Sequence, residues 1–412
     1  MRAWIIHDSE PIPSDPGGRR PMRAGMLASA LAARGHETVW FTSSFDHYQK
    51  RQRPGGDQTI TAAPNLTIEV LAGPGYTRNV SLKRIAHNSH FARRWREHAA
   101  ASAAPPDILL PDLPTTQEAQ AAVAFGRQNG IPSVLSIRDL WPDFFLDYLP
   151  APLRPLARPF VGVLDAQARD ACANATSLVG ISEEYLAWGR RKGNRAPNAL
   201  DRVFPLGYEA RRQSEAAVAE FRQKLGAGDR PLVSFVGTWG RTYDLELVRA
   251  AAEQNPDLAF AVTGDKDTQP ALRDAFARLP NVVLTGWLSA DDIALLVSAS
   301  AIGLLPYQPN APQGLPNKVF EYMAYGAYQL ATLEGEIGRF YAATGAGQAV
   351  GRDLAAAIPA ALPVALDPVR RAQRIALFEQ RYSADGVYSG LVDHIEHVAT
   401  LSKRPLGSAP RS

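Results

Sequence analysis

Short apolar runs alternate along this chain with longer segments in which apolar residues recur every three or four positions. The first pattern predicts buried strands and the second amphipathic helices. Strand-like runs are Arg2 to His7, Thr38 to Thr42, Leu66 to Leu71, Asp107 to Leu110, Ser133 to Ile137 and Ser177 to Ile181. Helical spacing marks Val80 to Ala101 and Thr115 to Gln128. The polar stretch after Ser43, with Lys50, Arg51 and Arg53, predicts a mobile loop. The region Pro150 to Phe160, rich in proline and arginine, predicts a packed elbow or a surface that touches lipid. Around Pro205–Gly207 the pattern resets. Val233 to Val236, Ala259 to Thr263, Val282 to Thr285, Ile302 to Leu305 and Gln329 to Thr332 then read as strands. Asp244–Glu253 and Ser289–Ser298 are helical between them, with Ser289 and Asp292 spaced as a capping box. Asp367-Pro368 opens another helix and Asp385 to Leu401 makes the last. This alternation predicts an α/β chain of two doubly wound domains with parallel sheets. The expected boundaries are 1–206 and 207–402, with a disordered Pro/Gly/Ser-rich tail at 403–412.

The chain is organised around residues 313–326, QGLPNKVFEYMAYG, which follow the strand Ile302 to Leu305. Pro316 suits the first position of a helix and Gly326 its end. Val319, Phe320, Met323 and Ala324 share one face, while Lys318 and Glu321 share the other. Lys318 falls in the first turn, where the helix dipole disfavours a cation unless an anion docks there too. A surface Lys–Glu pair accounts for the same spacing.

Ligands of open α/β sheets bind beyond the carboxyl ends of the strands. In the second half those ends carry Val236-Gly237-Thr238-Trp239-Gly240-Arg241, Thr263-Gly264-Asp265-Lys266 and Gly286-Trp287-Leu288. In the first half they carry the glycine pair Gly17-Gly18 and the run Ile137-Arg138-Asp139-Leu140-Trp141-Pro142. Each alone is an ordinary turn between strand and helix. A glycine pair lets backbone approach a ligand closely, but this one is not the dinucleotide fingerprint.

Composition narrows the class. At 46% hydrophobic and 21% charged, the 412 residues read as an ordinary globular chain. One cysteine, Cys172, excludes an intrachain disulfide, and no run approaches the length of a membrane span. A cytoplasmic protein is expected. Residues 1–206 hold 24 basic against 19 acidic side chains, a net +5, and the remainder 20 against 22, a net −2. The difference is too diffuse for nucleic-acid binding, though Lys83, Arg84, Arg93, Arg94 and Arg96 predict transient contact with an anionic membrane. His87 and His90 lack a third ligand in sequence, so no metal is expected. His36 reads as a turn residue.

The leucine-proline turn followed by N-K-V-F-E-Y-M-A-x-G resembles the nucleotide-sugar site of retaining GT-B glycosyltransferases of family four. The branch it looks most like builds bacterial surface polysaccharides and lipid-linked sugars. The resemblance implies that Glu321 binds the ribose hydroxyls of a nucleotide-sugar donor, UDP-linked, in an interdomain cleft. Relatives carry another glutamate eight positions earlier, where this chain has Gln313, which would then hydrogen-bond the donor sugar. Gly18 is placed near the donor diphosphate, Trp287 and Leu288 near the base, and Gly237, Thr238, Gly264, Gly314 and Leu315 along the donor. Many relatives clamp the diphosphate with an arginine where Thr238 stands here and a lysine some residues on. Arg241 and Lys318 are the substitutes, and they would stabilise the departing diphosphate. Asp139 would accept a sugar hydroxyl or orient the acceptor, and Arg138 would bind phosphate, unless the two form an internal pair that holds the loop.

The activity implied is transfer of a hexosyl or N-acetylhexosaminyl group, with retention, to a glycan or lipid-linked acceptor, without cofactor or metal. A nucleotide-sugar epimerase of the same fold and a non-catalytic sugar-binding partner are the alternatives. The missing glutamate at Gln313 supports the second of these.

Overall fold

The protein is described by a computed structural model over residues 1–16, 21–143, 152, 154–240, 242–309, 311 and 314–402. Gly18, Arg241, Gln313 and the tail 403–412 lie outside the described residues. The chain divides into two compact units, Met1–Leu206 with Tyr388–Ser412, and Gly207–Val387.

The first unit holds strands β1 (Arg2–Ile6), β2 (Glu37–Ser43), β3 (Phe45–Asp46), β4 (Arg51–Gln52), β5 (Gln58–Ala63), β6 (Leu66–Leu71), β7 (Ile108–Leu113), β8 (Val134–Ile137), β9 (Ser177–Gly180) and β10 (Arg202–Val203). Its helices are α1 (Arg23–Ala33), α2 (Leu82–Ala101), α3 (Thr116–Asn129), α4 (Arg154–Asn174) and α5 (Glu183–Lys192). The main sheet runs β10-β9-β8-β7-β1-β2-β6-β5, parallel throughout except where β5 pairs antiparallel with β6. Helices cover parallel sheets on both faces, so the inner strands are apolar along their whole length. All six residues of β7 are buried.

Two expectations are corrected here. The polar stretch after Ser43 is no mobile loop, since it forms the β3–β4 hairpin and the edge strand β5. Arg53, read as a loop residue, is buried. It donates to both carboxylate oxygens of Asp15 at 2.7 Å and to the Ser43 carbonyl at 2.7 Å. The region 150–160, expected as a packed elbow or a lipid-touching surface, lies partly outside the described residues, and from Arg154 onward it is the first part of α4, with Pro159 inside the helix. Leu164, Ala168, Ala171 and Cys172 along its later turns are buried.

The second unit holds β11 (Leu232–Phe235), β12 (Ala259–Thr263), β13 (Val282–Gly286), β14 (Ile302–Leu305), β15 (Tyr328–Ala331) and β16 (Gly347–Ala349). The helices are α6 (Glu215–Lys224), α7 (Leu245–Gln254), α8 (Pro270–Ala277), α9 (Ala290–Ala299), α10 (Asn317–Ala324), α11 (Glu336–Thr344), α12 (Leu354–Ala365) and α13 (Pro368–Arg381). The sheet is parallel in the order β13-β12-β11-β14-β15-β16. Connections therefore reverse direction between β11 and β14, and in the first unit between β1 and β7. Such reversal points open a crevice at the carboxyl ends of the strands. Ser289 caps α9 as expected, accepting from the Asp292 N–H at 3.1 Å.

The final helix α14 (Ala384–Ser402) corrects the domain assignment, because residues 388–402 belong to the first unit and not to the second. Leu391, Val392, Ile395, Val398 and Ala399 are buried along one face. Tyr388 donates to the Leu206 carbonyl at 2.9 Å, and His394 Nε2 lies 3.0 Å from Ser177 Oγ. His36, taken for a simple turn residue, meets Glu396 at 2.7 Å. Apolar spacing identifies the buried face of a helix but not the sheet that receives it. Ile395→Ala should therefore lower stability by about 2–5 kcal/mol, as expected for a fully buried isoleucine, measured by urea denaturation.

Candidate functional site

In the second unit α10 begins directly after Pro316, whose φ of −75° and ψ of 150° make it the cap and not the first helical residue. The helix ends in a Schellman arrangement. Gly326 N–H donates to the Met323 carbonyl at 3.0 Å and Ala327 N–H to the Tyr322 carbonyl at 3.1 Å. Gly326 has a φ of 75°, and a Cβ there would come within 2.7 Å of Arg371.

The buried face of α10 comprises Val319, Phe320, Tyr322, Met323 and Ala324. Tyr322 fixes the helix to the sheet. Its hydroxyl accepts the Val236 N–H at 2.9 Å, where β11 ends, and lies 3.3 Å from the Leu304 carbonyl of β14. Its ring lies against Gly303, where a Cβ would approach within 2.5 Å. The sequence reading passed over this contact. Its signal was a glycine inside a short apolar strand, which often marks close approach by another group.

Lys318 and Glu321 lie one turn apart on this fixed helix. Lys318 Nζ donates to Glu321 Oε2 at 2.5 Å, and the Tyr208 hydroxyl lies 3.4 Å from Glu321 Oε1. Glu321 is only 9% exposed, so this is not the solvated surface pair that spacing alone allowed. The first turn of α10 holds no acidic residue. A buried carboxylate beside a cation and helix N–H groups is equipped to meet a ligand carrying both hydroxyls and negative charge.

The other turns gather at the ends of adjacent strands. After β11, the Gly237 N–H donates to Thr263 Oγ1 at 3.1 Å and Thr238 is exposed. Trp239 is buried, with its indole N–H on the Thr263 carbonyl at 2.8 Å, so it serves the core. After β12, Gly264 has a φ of 105°, and a Cβ there would sit 2.1 Å from the Gly237 carbonyl. Only glycine lets these two turns touch. Trp287 follows β13 and is 69% exposed, while Leu288 packs partly onto the core. Gly314 and Leu315, before α10, are half-buried. The structure thus brings Gly237, Thr238, Gly264, Trp287, Leu288, Gly314, Leu315, Lys318 and Glu321 to the carboxyl ends of four neighbouring strands.

In the first unit Asp139 follows β8, and one of its oxygens accepts the Leu140 N–H at 2.7 Å. Burial holds its carboxyl above the usual range, opposed by that N–H and by Arg84 and Arg138. Arg138 is neither a free phosphate ligand nor the partner of Asp139. Its guanidinium bonds Glu10 and, at 2.9 Å, Asp112, with all three side chains largely buried. His7 lies beside them, 3.6 Å from Glu10 and 3.4 Å from Asp112. The ligand atoms of His7, Glu10 and Asp112 fall within 4.8 Å of one another, as a metal would require. Arg138 already bridges the two carboxylates. His87, expected to lack an acidic neighbour, has Asp8 at 3.8 Å.

Glu118 on α3 completes this cluster. It is fully buried, with Thr115 beside its carboxyl and His7 Nδ1 3.9 Å from Oε1. Burial, then the charges of Asp8 and Asp112, push its pKa well above 4.5. The folded protein therefore holds a proton that the unfolded chain releases near pH 4.5, so this group erodes stability as pH rises above that value. Glu118→Gln should remove the effect, gaining on wild type by up to about 1.4 kcal/mol per pH unit while Glu118 stays protonated in the fold. Denaturant midpoints measured from pH 4 upward check the slope. Tyr322→Phe leaves the buried Val236 N–H without its acceptor and should cost about 1–3 kcal/mol by the same measurement.

Residues 230–362 match the family model described as glycosyl transferases group 1. Alpha-D-kanosaminyltransferase of Streptomyces kanamyceticus is 30% identical over 150 residues, which are 34% of this chain and 38% of that protein. The chain spans less than half the length of the curated relatives it matches. Among solved structures, sucrose-phosphate synthase of Thermosynechococcus elongatus superposes with a TM-score of 0.69 at 16% identity, over 97% of this chain and 99% of that one. HepE of Anabaena in complex with UDP gives 0.66 at 15% identity, over 96% and 100%. Residues 230–362 thus form a glycosyl transferases group 1 domain, within a chain whose fold is GT-B.

Proposed function

We propose that this chain is a retaining glycosyltransferase that moves a sugar from a UDP-linked donor to a glycan or lipid-linked acceptor. The observation that carries the reading is the buried Glu321 carboxylate, paired with Lys318 in the first turn of α10. A ribose diol needs a hydrogen-bond acceptor shielded from water, and Glu321 offers one. A diphosphate needs a cation and free helix N–H groups, and Lys318 with the start of α10 offers both. HepE, of the same fold, binds UDP, which favours that nucleotide.

In this reading the Lys318 ammonium leaves Glu321 for the diphosphate when donor binds. Its attraction grows as the glycosidic bond breaks and negative charge gathers on the leaving group. Arg241 is assigned to the same charge and Gln313 to the donor sugar. Trp287 offers an exposed ring to the base beside Leu288, and Thr238, Gly237, Gly264, Gly314 and Leu315 line the donor. Asp139 is assigned to a sugar hydroxyl, and the Gly18 loop to the diphosphate. Membrane contact is assigned to the exposed side chains Lys83, Arg93 and Arg96 of α2. Arg94 is engaged with Asp57 at 2.8 Å.

Glu321→Gln keeps the shape but loses charge-assisted acceptance, so UDP affinity should fall by about 1.5–3 kcal/mol in calorimetry. Lys318→Ala should lower turnover more than ground-state donor binding. Values equal to wild type for both variants would remove the reading. Gln313, in place of the glutamate of relatives, favours the alternative of a non-catalytic sugar-binding partner. Release of UDP together with a glycosylated product excludes that alternative, whereas a free epimerised donor would indicate the other chemistry.

A further inference from the structure

A second group of cations sits in the first unit, beside the Arg138 network. His47 and Lys50 follow β2 and β3, Tyr76 follows β6, and Trp141 follows β8. All lie at the carboxyl ends of strands, where doubly wound sheets take ligands. Arg84 joins them from the first turn of α2 and is only 8% exposed. Its guanidinium stacks 4.2 Å from the Trp141 ring and 5.5 Å from the Tyr76 ring. Nη1 donates to the Asn79 carbonyl at 3.0 Å, and Nε, buried, has no partner. Lys50 Nζ lies 4.9 Å from the Tyr76 ring centre, 2.6 Å from Asn79 Oδ1 and 3.4 Å from His47 Nδ1. Neither Arg84 nor Lys50 joins an ion pair among the described residues.

The nearby carboxylates act on these groups without pairing to them, Asp46 on Lys50, Asp8 on His47 and Asp139 on Arg84. Asp46 accepts the Tyr48 and Gln49 N–H groups, Asp139 the Leu140 N–H, and Asp8 lies 3.8 Å from His87. The repulsion is legible in the group itself. Burial and then Arg84 lower the Lys50 ammonium, while burial, Arg84 and Lys50 bring His47 down to about 4. The first turn of α2 carries Lys83 and Arg84 and no acid, so its dipole adds further positive potential. Two cations that form no ion pair, set beside a helix N-terminus, match a phosphoryl group, with Arg84 as the fork and Lys50 as the point charge. Tyr48, Val80 and Leu82, neighbours of these residues in the chain, are 50%, 49% and 65% exposed and offer an apolar margin.

We propose that Arg84, Lys50, His47 and Tyr76 form a subsite of the first unit that binds a phosphoryl group of the acceptor. His47, neutral, contributes a hydrogen bond, and Tyr76 and Trp141 hold the guanidinium in place. The inference rests on the glycosyltransferase reading for the word acceptor, but the anion site can be tested apart from it.

The test is calorimetric titration of the full chain, first with UDP and then, UDP-saturated, with inorganic phosphate, glucose 6-phosphate and decyl phosphate in turn. Saturable binding of phosphate esters to the UDP-loaded protein is expected. Lys50→Met and Arg84→Met should each weaken it by about tenfold or more, with UDP affinity unchanged. Tighter binding of decyl phosphate identifies a lipid-borne phosphoryl group, and tighter binding of glucose 6-phosphate a soluble one. Lys50 is half-buried, so Lys50→Met decides the matter even where Arg84→Met fails to fold. No binding of any of the three, or binding that both variants retain, overturns the subsite. Failure of UDP itself to bind would instead overturn the donor reading, and the comparison of variants without UDP would still judge the subsite.

Discussion

The hydroxyl of Tyr322 meets the backbone at the point where the second sheet reverses its direction of winding. One side chain there satisfies the Val236 N–H at the end of β11 and packs against Gly303 of β14. A bulkier residue at 303 would lift the ring, and a non-polar ring would leave a buried donor unpaired. Since Glu321 is the preceding residue and Lys318 lies one turn earlier, their positions follow from this anchor. The acidic and basic groups proposed to meet the donor are thus held by a rigid helix on a rigid sheet. The close approach of the Gly264 turn to the Gly237 carbonyl extends the same constraint to the neighbouring strand ends.

The first unit solves a different problem. Beside its strand ends gather four buried ionisable groups, His7, Glu10, Asp112 and Glu118, with the half-buried Arg138. Burial of charge is costly unless each ion finds a partner. Arg138 bonds both Glu10 and Asp112, and burial with the charges of Asp8 and Asp112 raises the pKa of Glu118. The neighbouring Arg84 and Lys50 form no ion pair among the described residues, although Asp139 and Asp46 act on them. Two clusters on the same edge of one sheet therefore differ in kind: one is bonded ion to ion, and the other holds cations without a direct ionic partner.

Much of the second unit was legible because its strands are short, apolar and separated by clear helical spacing. Ile302 to Leu305 and Ala259 to Thr263 match the observed strands, and the Ser289 cap and the Asp367-Pro368 helix start are as read. The first unit was harder for physical reasons. An edge strand such as β5 buries little on either face, so its polar residues imitate a loop. A buried arginine such as Arg53 or Arg84 has the same letter as a solvated one, and only the fold reveals the partner or its absence. The last helix returns to the first sheet although its apolar face would suit either. The Arg138–Glu10 contact joins residues 128 positions apart, and no local pattern announces it.

Amide hydrogen exchange of the full chain with and without UDP tests most directly whether the ends of β11 to β14 hold the nucleotide. Bound UDP should slow exchange in residues 234–240, 263–265, 286–288 and 314–321, with the largest change at the start of α10. Unchanged exchange in these segments at saturating UDP, with protection elsewhere or nowhere, would contradict the account.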